Sequence, residues 1–220
     1  MTRINKAFIF DMNGTMVDDM AYHVKAWYNL LTQDLDAKLS FEEVSKEMYG
    51  KNSEVMERVF GKGRFTQAEM DFWGLEKEKR YQDAYLPNLK LIDGLQQFFD
   101  AAYNAQIPMS IGSAAIPFNI NFVLDNLHLH QYFKAVVSAD DVAISKPHPE
   151  TFTKAAALMG VAPEHCVVFE DAPKGVEAAQ NAGMHCVVIT TMHEPEAFKK
   201  YKNIICFIKD YKQLRIEDLI

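Results

Sequence analysis

Four consecutive apolar residues, Ala7-Phe8-Ile9-Phe10, stop abruptly at Asp11. A short apolar run without polar alternation, closed by a turn, predicts a strand buried on both faces. The turn is Asn13-Gly14-Thr15, which combines a conformationally free glycine with a hydroxyl. From residue 19 to about 85 the apolar positions recur instead at spacings of three and four. Residues 20–36 predict a helix with Val24, Trp27, Leu31 and Leu35 on one face. Ser40 with Glu43, and Thr66 with Glu69, have capping-box spacing and predict helices running to about Met48 and Tyr85. Between them the loop Tyr49-Gly50-Lys51-Asn52-Ser53 leads into a third helix through Phe60, capped by Asn52 or Ser53, and Gly61 and Gly63 then break the chain.

Beyond Pro87 the pattern alternates. Helices are expected at 94–104, 117–126, 149–159 and Pro173–Ala182, the last ended by Gly183. Short apolar strands are expected at Ile107–Gly112, Ala135–Ser138, Cys166–Phe169, Cys186–Ile189 and Ile204–Ile208. From Asp210 onward the helical pattern is weak. Apolar strands alternating with helices predict an α/β fold, a Rossmann-like parallel sheet covered on both faces. The helical block interrupts that pattern directly after the first strand. The expected organisation is therefore a core of residues 1–18 and 87–220 and an inserted helical cap of residues 19–86, set over the carboxyl edge of the sheet as a lid.

Composition narrows the classes. With 220 residues and 49% hydrophobic content the chain can bury a substantial core. A net charge of −7 argues against nonspecific nucleic-acid binding, which needs clustered Lys and Arg, but leaves room for a small anionic substrate at a local positive site. No apolar run approaches the ~20 residues of a membrane span. The chain enters its first strand at once, without the apolar segment of a secretory leader. Cys166, Cys186 and Cys206 each fall in a predicted strand; their odd number and wide spacing point to reduced core thiols and a cytoplasmic setting. A monomer is expected.

Four polar clusters follow or adjoin the sheet elements: Asp11-x-Asn13-Gly14-Thr15, Ser113, Lys146 in Ser-Lys-Pro-His-Pro-Glu, and Glu170-Asp171. Taken singly these read as turns, helix caps and surface charge. In a parallel sheet, however, strand ends converge on one edge, so residues far apart in sequence can share a site. The set resembles the haloacid dehalogenase superfamily of phosphotransferases across essentially the whole chain. The helical insertion is similar to the C1 cap of the β-phosphoglucomutase-like branch. The resemblance implies that Asp11 is the nucleophile forming an aspartyl-phosphate, and that Asn13 stands at the acid/base position, where the usual residue is Asp. Mg²⁺ is the implied cofactor, held by Asp11, the backbone carbonyl of Asn13 and Asp171, with Glu170 holding a metal-bound water. Gly14, Thr15, Ser113 and Lys146 are the implied contacts to the phosphoryl group.

The cap bears on the choice of substrate. His23 would match the mutase's cap histidine. The mutase branch carries an arginine after the loop glycine, and Ser53 stands there instead, without a guanidinium for a second phosphate. Glu47 and Lys79 are candidates to face the site, Glu47 excluding bulky anionic leaving groups and Lys79, with Arg80, pairing with it or meeting a small phosphate. A small cavity favours pyrophosphate, so the closest resemblance is to the branch's inorganic pyrophosphatase offshoot. Asn13 cannot carry a proton and reads as an Asp-to-Asn replacement that slows turnover. The alternatives are a sugar-phosphate or nucleotide phosphatase, a β-phosphoglucomutase-like phosphotransferase, a haloacid dehalogenase, a phosphonate-cleaving enzyme using Lys51 or Lys79, and a non-catalytic binding protein.

Overall fold

The computed structural model describes residues 6–219; the expectation about the chain's start falls on residues 1–5, outside the described residues. Contacts divide the chain into two compact units, Met1–Asp18 with Lys90–Ile220, and Asp19–Leu89. The second boundary falls at Leu89 because Leu86–Asn88 prolong the last helix of the inserted unit as a 3-10 turn.

The first unit is a six-stranded parallel sheet in the order β3-β2-β1-β4-β5-β6, with β1 Ala7–Phe10, β2 Met109–Gly112, β3 Ala135–Val137, β4 Cys166–Glu170, β5 His185–Ile189 and β6 Ile204–Ile208. Strand β1 is fully buried and alternates its side chains between two cores. Ala7 and Ile9 join Val168, Val188, Phe152, Ala155, Val176 and Ala179 on one face, where α7 (Glu150–Met159) and α8 (Pro173–Asn181) contribute. Phe8 and Phe10 enter an aromatic cluster on the other face: Phe10 stacks on Phe169 at 4.3 Å and meets Phe99 of α5 (Leu95–Asn104) edge-on at 5.1 Å. Strand β2 starts two residues later than expected from the apolar run. Pro108 has no N–H for a ladder, although its carbonyl accepts the Phe8 amide at 2.9 Å. Helix α6, Pro117–Asn126, carries proline in its first turn.

The second unit holds α1 Met20–Asn29, α2 Phe41–Glu47, α3 Asn52–Phe60 and α4 Gln67–Tyr85 around a core of Trp27, Leu30, Leu31, Val44, Val55 and Met56. Both capping boxes form, at Ser40–Glu43 and Thr66–Glu69. Two local expectations fail. The helix expected over 20–36 leaves α geometry at Asn29 and continues as a π-helical turn over Leu30–Asp34. The Thr32 hydroxyl donates to the Tyr28 carbonyl at 2.6 Å, the acceptor that its own amide would use in an α-helix, and Leu35 N–H bonds to Leu30 instead. Helix α3 is capped at Lys51, whose N–H donates to the Glu54 carboxylate, while Asn52 is already helical and donates its side-chain amide to Glu78 at 2.8 Å. Among the described residues no helix is long and apolar enough to cross a membrane.

Ile9 lies fully buried at the centre of the sheet. Ile9→Ala should lower unfolding free energy by about 2–5 kcal/mol, read as a shift of the urea midpoint with unchanged slope.

Candidate active site

Strand register brings the chemistry together. Phe10 lies opposite Ile111 of β2 and Phe169 of β4. The next residues along, Asp11, Gly112 followed by Ser113, and Glu170 followed by Asp171, therefore emerge at one level of the carboxyl edge. Strand order reverses between β1 and β4, and that crevice is where open α/β sheets bind ligands.

Lys146 links the two strands. Its ammonium donates to Asp11 Oδ1 at 2.7 Å and to Glu170 Oε1 at 2.9 Å, and its side chain is 8% exposed. The loop that carries it is braced by the Glu150 carboxylate, which accepts the amides of Ala143 and Ile144, and by Asn181, which donates to the Pro147 carbonyl. The ammonium also lies 4.5 Å from the centre of the Phe152 ring. Burial alone would push this lysine down, but the charges of Asp11 and Glu170 outweigh it and hold the ammonium above the ordinary lysine range.

Glu170 is occupied on both oxygens: Oε1 by Lys146, Oε2 by the amides of Asp171 and Ala172 at 2.8 and 2.7 Å. A Cβ at Gly175 would stand 1.7 Å from Glu170 Oε1, so only glycine leaves room for this carboxylate under α8. Asp171 is buried, and Thr15 Oγ1 donates to its Oδ1 at 3.3 Å. Gly14, at φ 73°, presses so close that a Cβ there would fall 2.1 Å from Asp171 Oδ2. Burial first, and then the neighbouring charges of Glu170 and Asp11, push the Asp171 carboxyl well above the usual range, with Lys146 opposing. Ser113 is buried, and its Oγ accepts the Ala115 amide at 3.1 Å, which leaves its hydroxyl proton to donate elsewhere. Asn13 is half-buried and bridges to Val17 within the loop.

Residues 8–189 match the family model described as "Haloacid dehalogenase-like hydrolase". The chain belongs to the haloacid dehalogenase-like hydrolases. It is 34% identical to the fructose-1-phosphate phosphatase YqaB of Escherichia coli (strain K12), over 81% of this chain and 93% of that protein. It is 31% identical to the β-phosphoglucomutase of Bacillus subtilis (strain 168), over 83% and 82%. A solved HAD hydrolase, family IA, variant 3, from Entamoeba histolytica HM-1:IMSS is similar with a TM-score of 0.87 at 26% identity, covering 97% of each chain. Another relative of this haloacid dehalogenase-like chain, 30% identical, is the hexitol phosphatase A of the same Escherichia coli strain.

Hydrolases of this family generally use Mg²⁺. Among the described residues no group of three His, Cys, Asp or Glu side chains is arranged to hold a metal. Mg²⁺ needs less: it takes one or two carboxylates and keeps water or substrate oxygens for the rest. Lys146 bonds to Asp11 and Glu170, while burial, and then the charges of Glu170 and Asp11, push the neighbouring Asp171 carboxyl up. A hard dication fits this oxygen-only set and would relieve its repulsion.

The inserted unit of this haloacid dehalogenase-like chain corrects the reading of its polar residues. Glu47 does not pair with Lys79 or Arg80. Arg58 of α3 donates to the Glu47 carboxylate at 3.2 Å and to the carbonyls of Glu47 and Tyr49, while Lys79 pairs with Glu76 and Arg80 with Asp34. Lys51 spends its amide on capping α3. His23 is buried in a network that sequence reasoning missed. Lys77 donates to its Nδ1 at 2.8 Å and to Glu78 at 3.0 Å, Tyr81 stacks on its ring at 3.7 Å, and the Tyr81 hydroxyl donates to Asp19. Burial pushes the Lys77 ammonium down against the pull of Glu78. A sequence signal existed: Met70, Gly74, Lys77, Glu78, Tyr81 and Tyr85 form the buried stripe of α4 at helical spacing, and Lys79 lies off it.

Folded Asp171 holds its proton more tightly than the unfolded chain does, so stability falls as pH rises from about 3.8 through the raised folded value. Asp171→Asn removes that penalty. In EDTA the variant should melt above the parent at pH 7, by about 2–4 °C per kcal/mol relieved, and calorimetry should show the gap closing towards pH 4. Added Mg²⁺ should raise the melting temperature of the parent and not that of the variant.

Proposed function

We propose that the chain is a Mg²⁺-dependent phosphohydrolase that works through an aspartyl-phosphate on Asp11. The observation that carries this reading is the convergence of Asp11, Lys146, Glu170 and Asp171 at one sheet edge. The Asp11 carboxylate attacks phosphorus, an Asp11 O–P bond forms, and the bond to the leaving oxygen breaks. Water then cleaves the acyl phosphate and restores Asp11. Lys146 offsets the negative charge shared by nucleophile and phosphoryl group. Ser113 and the amides of the loop after Asp11 donate to nonbridging oxygens, with Gly14 and Thr15 shaping that loop. Mg²⁺ bound by Asp11, the Asn13 carbonyl and Asp171 would neutralise the phosphoryl oxygens further. Glu170 acts on Lys146 and on the backbone of Asp171.

Asn13 stands where this chemistry calls for a proton carrier. An amide neither protonates a departing alkoxide nor takes a proton from attacking water, which leaves the chain slow at both steps. Substrates are small phosphate esters, and relatives acting on sugar phosphates support esters of that class. Pyrophosphate is a second reading, favoured by Asn13 itself: a phosphate leaving group, with a pKa of about 6 to 7, departs with less need of an acid. The Arg58 clamp on Glu47 weakens the argument that Glu47 narrows the site, and Ser53 offers no clamp for a bisphosphorylated sugar. Free thiols in β4, β5 and β6 support a reducing, cytoplasmic setting.

Phosphate release from fructose 1-phosphate, a hexitol phosphate, glucose 1-phosphate and pyrophosphate tests the reading in the parent and in Asn13→Asp. Asn13→Asp should raise ester turnover by about 10²–10⁴-fold and pyrophosphate turnover by less. Equal rates in the two proteins would overturn the role given to position 13. Absence of Mg²⁺-dependent release by Asn13→Asp would overturn the phosphohydrolase reading.

A further inference from the structure

The loop after β1 is held at five of its carbonyls. Those of Met12 and Val17 accept amides from within the loop, and that of Met16 accepts the Ile92 amide at 2.9 Å. The other two are held by side chains from far along the chain. Thr191 Oγ1 donates to the Gly14 carbonyl at 2.6 Å, and Tyr211 Oη donates to the Thr15 carbonyl at 3.0 Å. Neither residue stands in a motif that the sequence singles out.

Both donors are themselves anchored. Tyr211 is 2% exposed and packs its ring against Phe98 and Phe169. Its amide donates to the Asp93 carbonyl at 2.9 Å, and the chain at 211–212 presses directly on Gly94, where a Cβ would stand 2.5 Å from the Lys212 nitrogen. Thr191 follows Thr190, whose amide and hydroxyl both donate to the Ile208 carbonyl beside it. The two hydroxyls therefore reach the loop from fixed origins. What they hold is one step from the acidic centre, because Thr15 Oγ1 donates to Asp171 and the Gly14 backbone packs on the same carboxylate. Turning either peptide plane would disturb both contacts.

We propose that Tyr211 and Thr191 are positioning residues of the phosphoryl-transfer site. By fixing the peptide planes of Gly14 and Thr15 they hold the Thr15 hydroxyl on Asp171, and so set the orientation of the carboxylate that receives the cation. Neither residue touches substrate, and the proposal rests on the phosphohydrolase reading.

Tyr211→Phe removes one oxygen and keeps the packed ring; Thr191→Val removes the other donor, and Thr191→Ser keeps it. Loss of a donor to a buried carbonyl should weaken Mg²⁺ binding, measured by calorimetry, by roughly ten-fold. The kcat for the best ester in the panel should fall comparably while KM moves by less than about two-fold. Exchange of the Met16 and Val17 amides, both bonded to the Met12 carbonyl, should accelerate roughly ten-fold in Tyr211→Phe and Thr191→Val. Thr191→Ser should restore parental values. Parental Mg²⁺ affinity and parental loop exchange in both donor deletions would overturn the proposal, whatever happens to their melting temperatures. If even Asn13→Asp releases no phosphate, the functional reading falls, while Mg²⁺ affinity and amide exchange still decide the positioning.

Discussion

The first unit depends on one electrostatic constraint. A parallel sheet delivers Asp11, Glu170 and Asp171 to the same edge, and carboxylates gathered with little water repel one another. The Lys146 ammonium answers that repulsion by bonding to Asp11 and Glu170 at once. Removing one partner of such a buried ion pair costs about 3–5 kcal/mol, so the surrounding structure is devoted to keeping it whole. Glu150 and Asn181 brace the lysine loop, the Phe152 ring lies beside the ammonium, and Gly175 makes room for the Glu170 carboxylate. Asp171, buried beside these charges, has its carboxyl pushed well above the usual range.

The helical unit meets a similar problem with different parts. Lys77 and Glu78 are neighbours on the buried stripe of α4, and each is only 3% exposed. They neutralise each other, while His23 and Asn52 use the remaining hydrogen-bonding capacity. Arg58 disposes of Glu47 in the same way and ties down the loop that follows α2. Charges that look available along the sequence are here committed to partners inside the unit.

Much of this was readable in advance, for local reasons. Ala7–Phe10 is a central strand because both of its faces are covered, and such strands carry no polar alternation. Ser40–Glu43 and Thr66–Glu69 form their capping boxes because a box needs only four consecutive residues. Lys77 and not Lys79 lies on the buried period of α4, a distinction that charge type alone does not carry. Thr32 ended the α geometry of the first helix through a hydroxyl bond that apolar spacing does not register.

The sequence by itself determined the fold class, and it singled out a helical block after the first strand and Asp11, Ser113, Lys146 and Glu170-Asp171 as candidates for one site. Periodicity, capping and strand-end polarity are written in neighbouring residues. Only the tertiary structure decided what each charge is paired with, that Glu170 serves the lysine and two amides, and that Thr191 and Tyr211 hold the loop at Gly14 and Thr15. A hydrogen bond from a side chain to a backbone carbonyl 196 positions away leaves no pattern at either end. Any residue has such a carbonyl, and the fold alone selects which one is met.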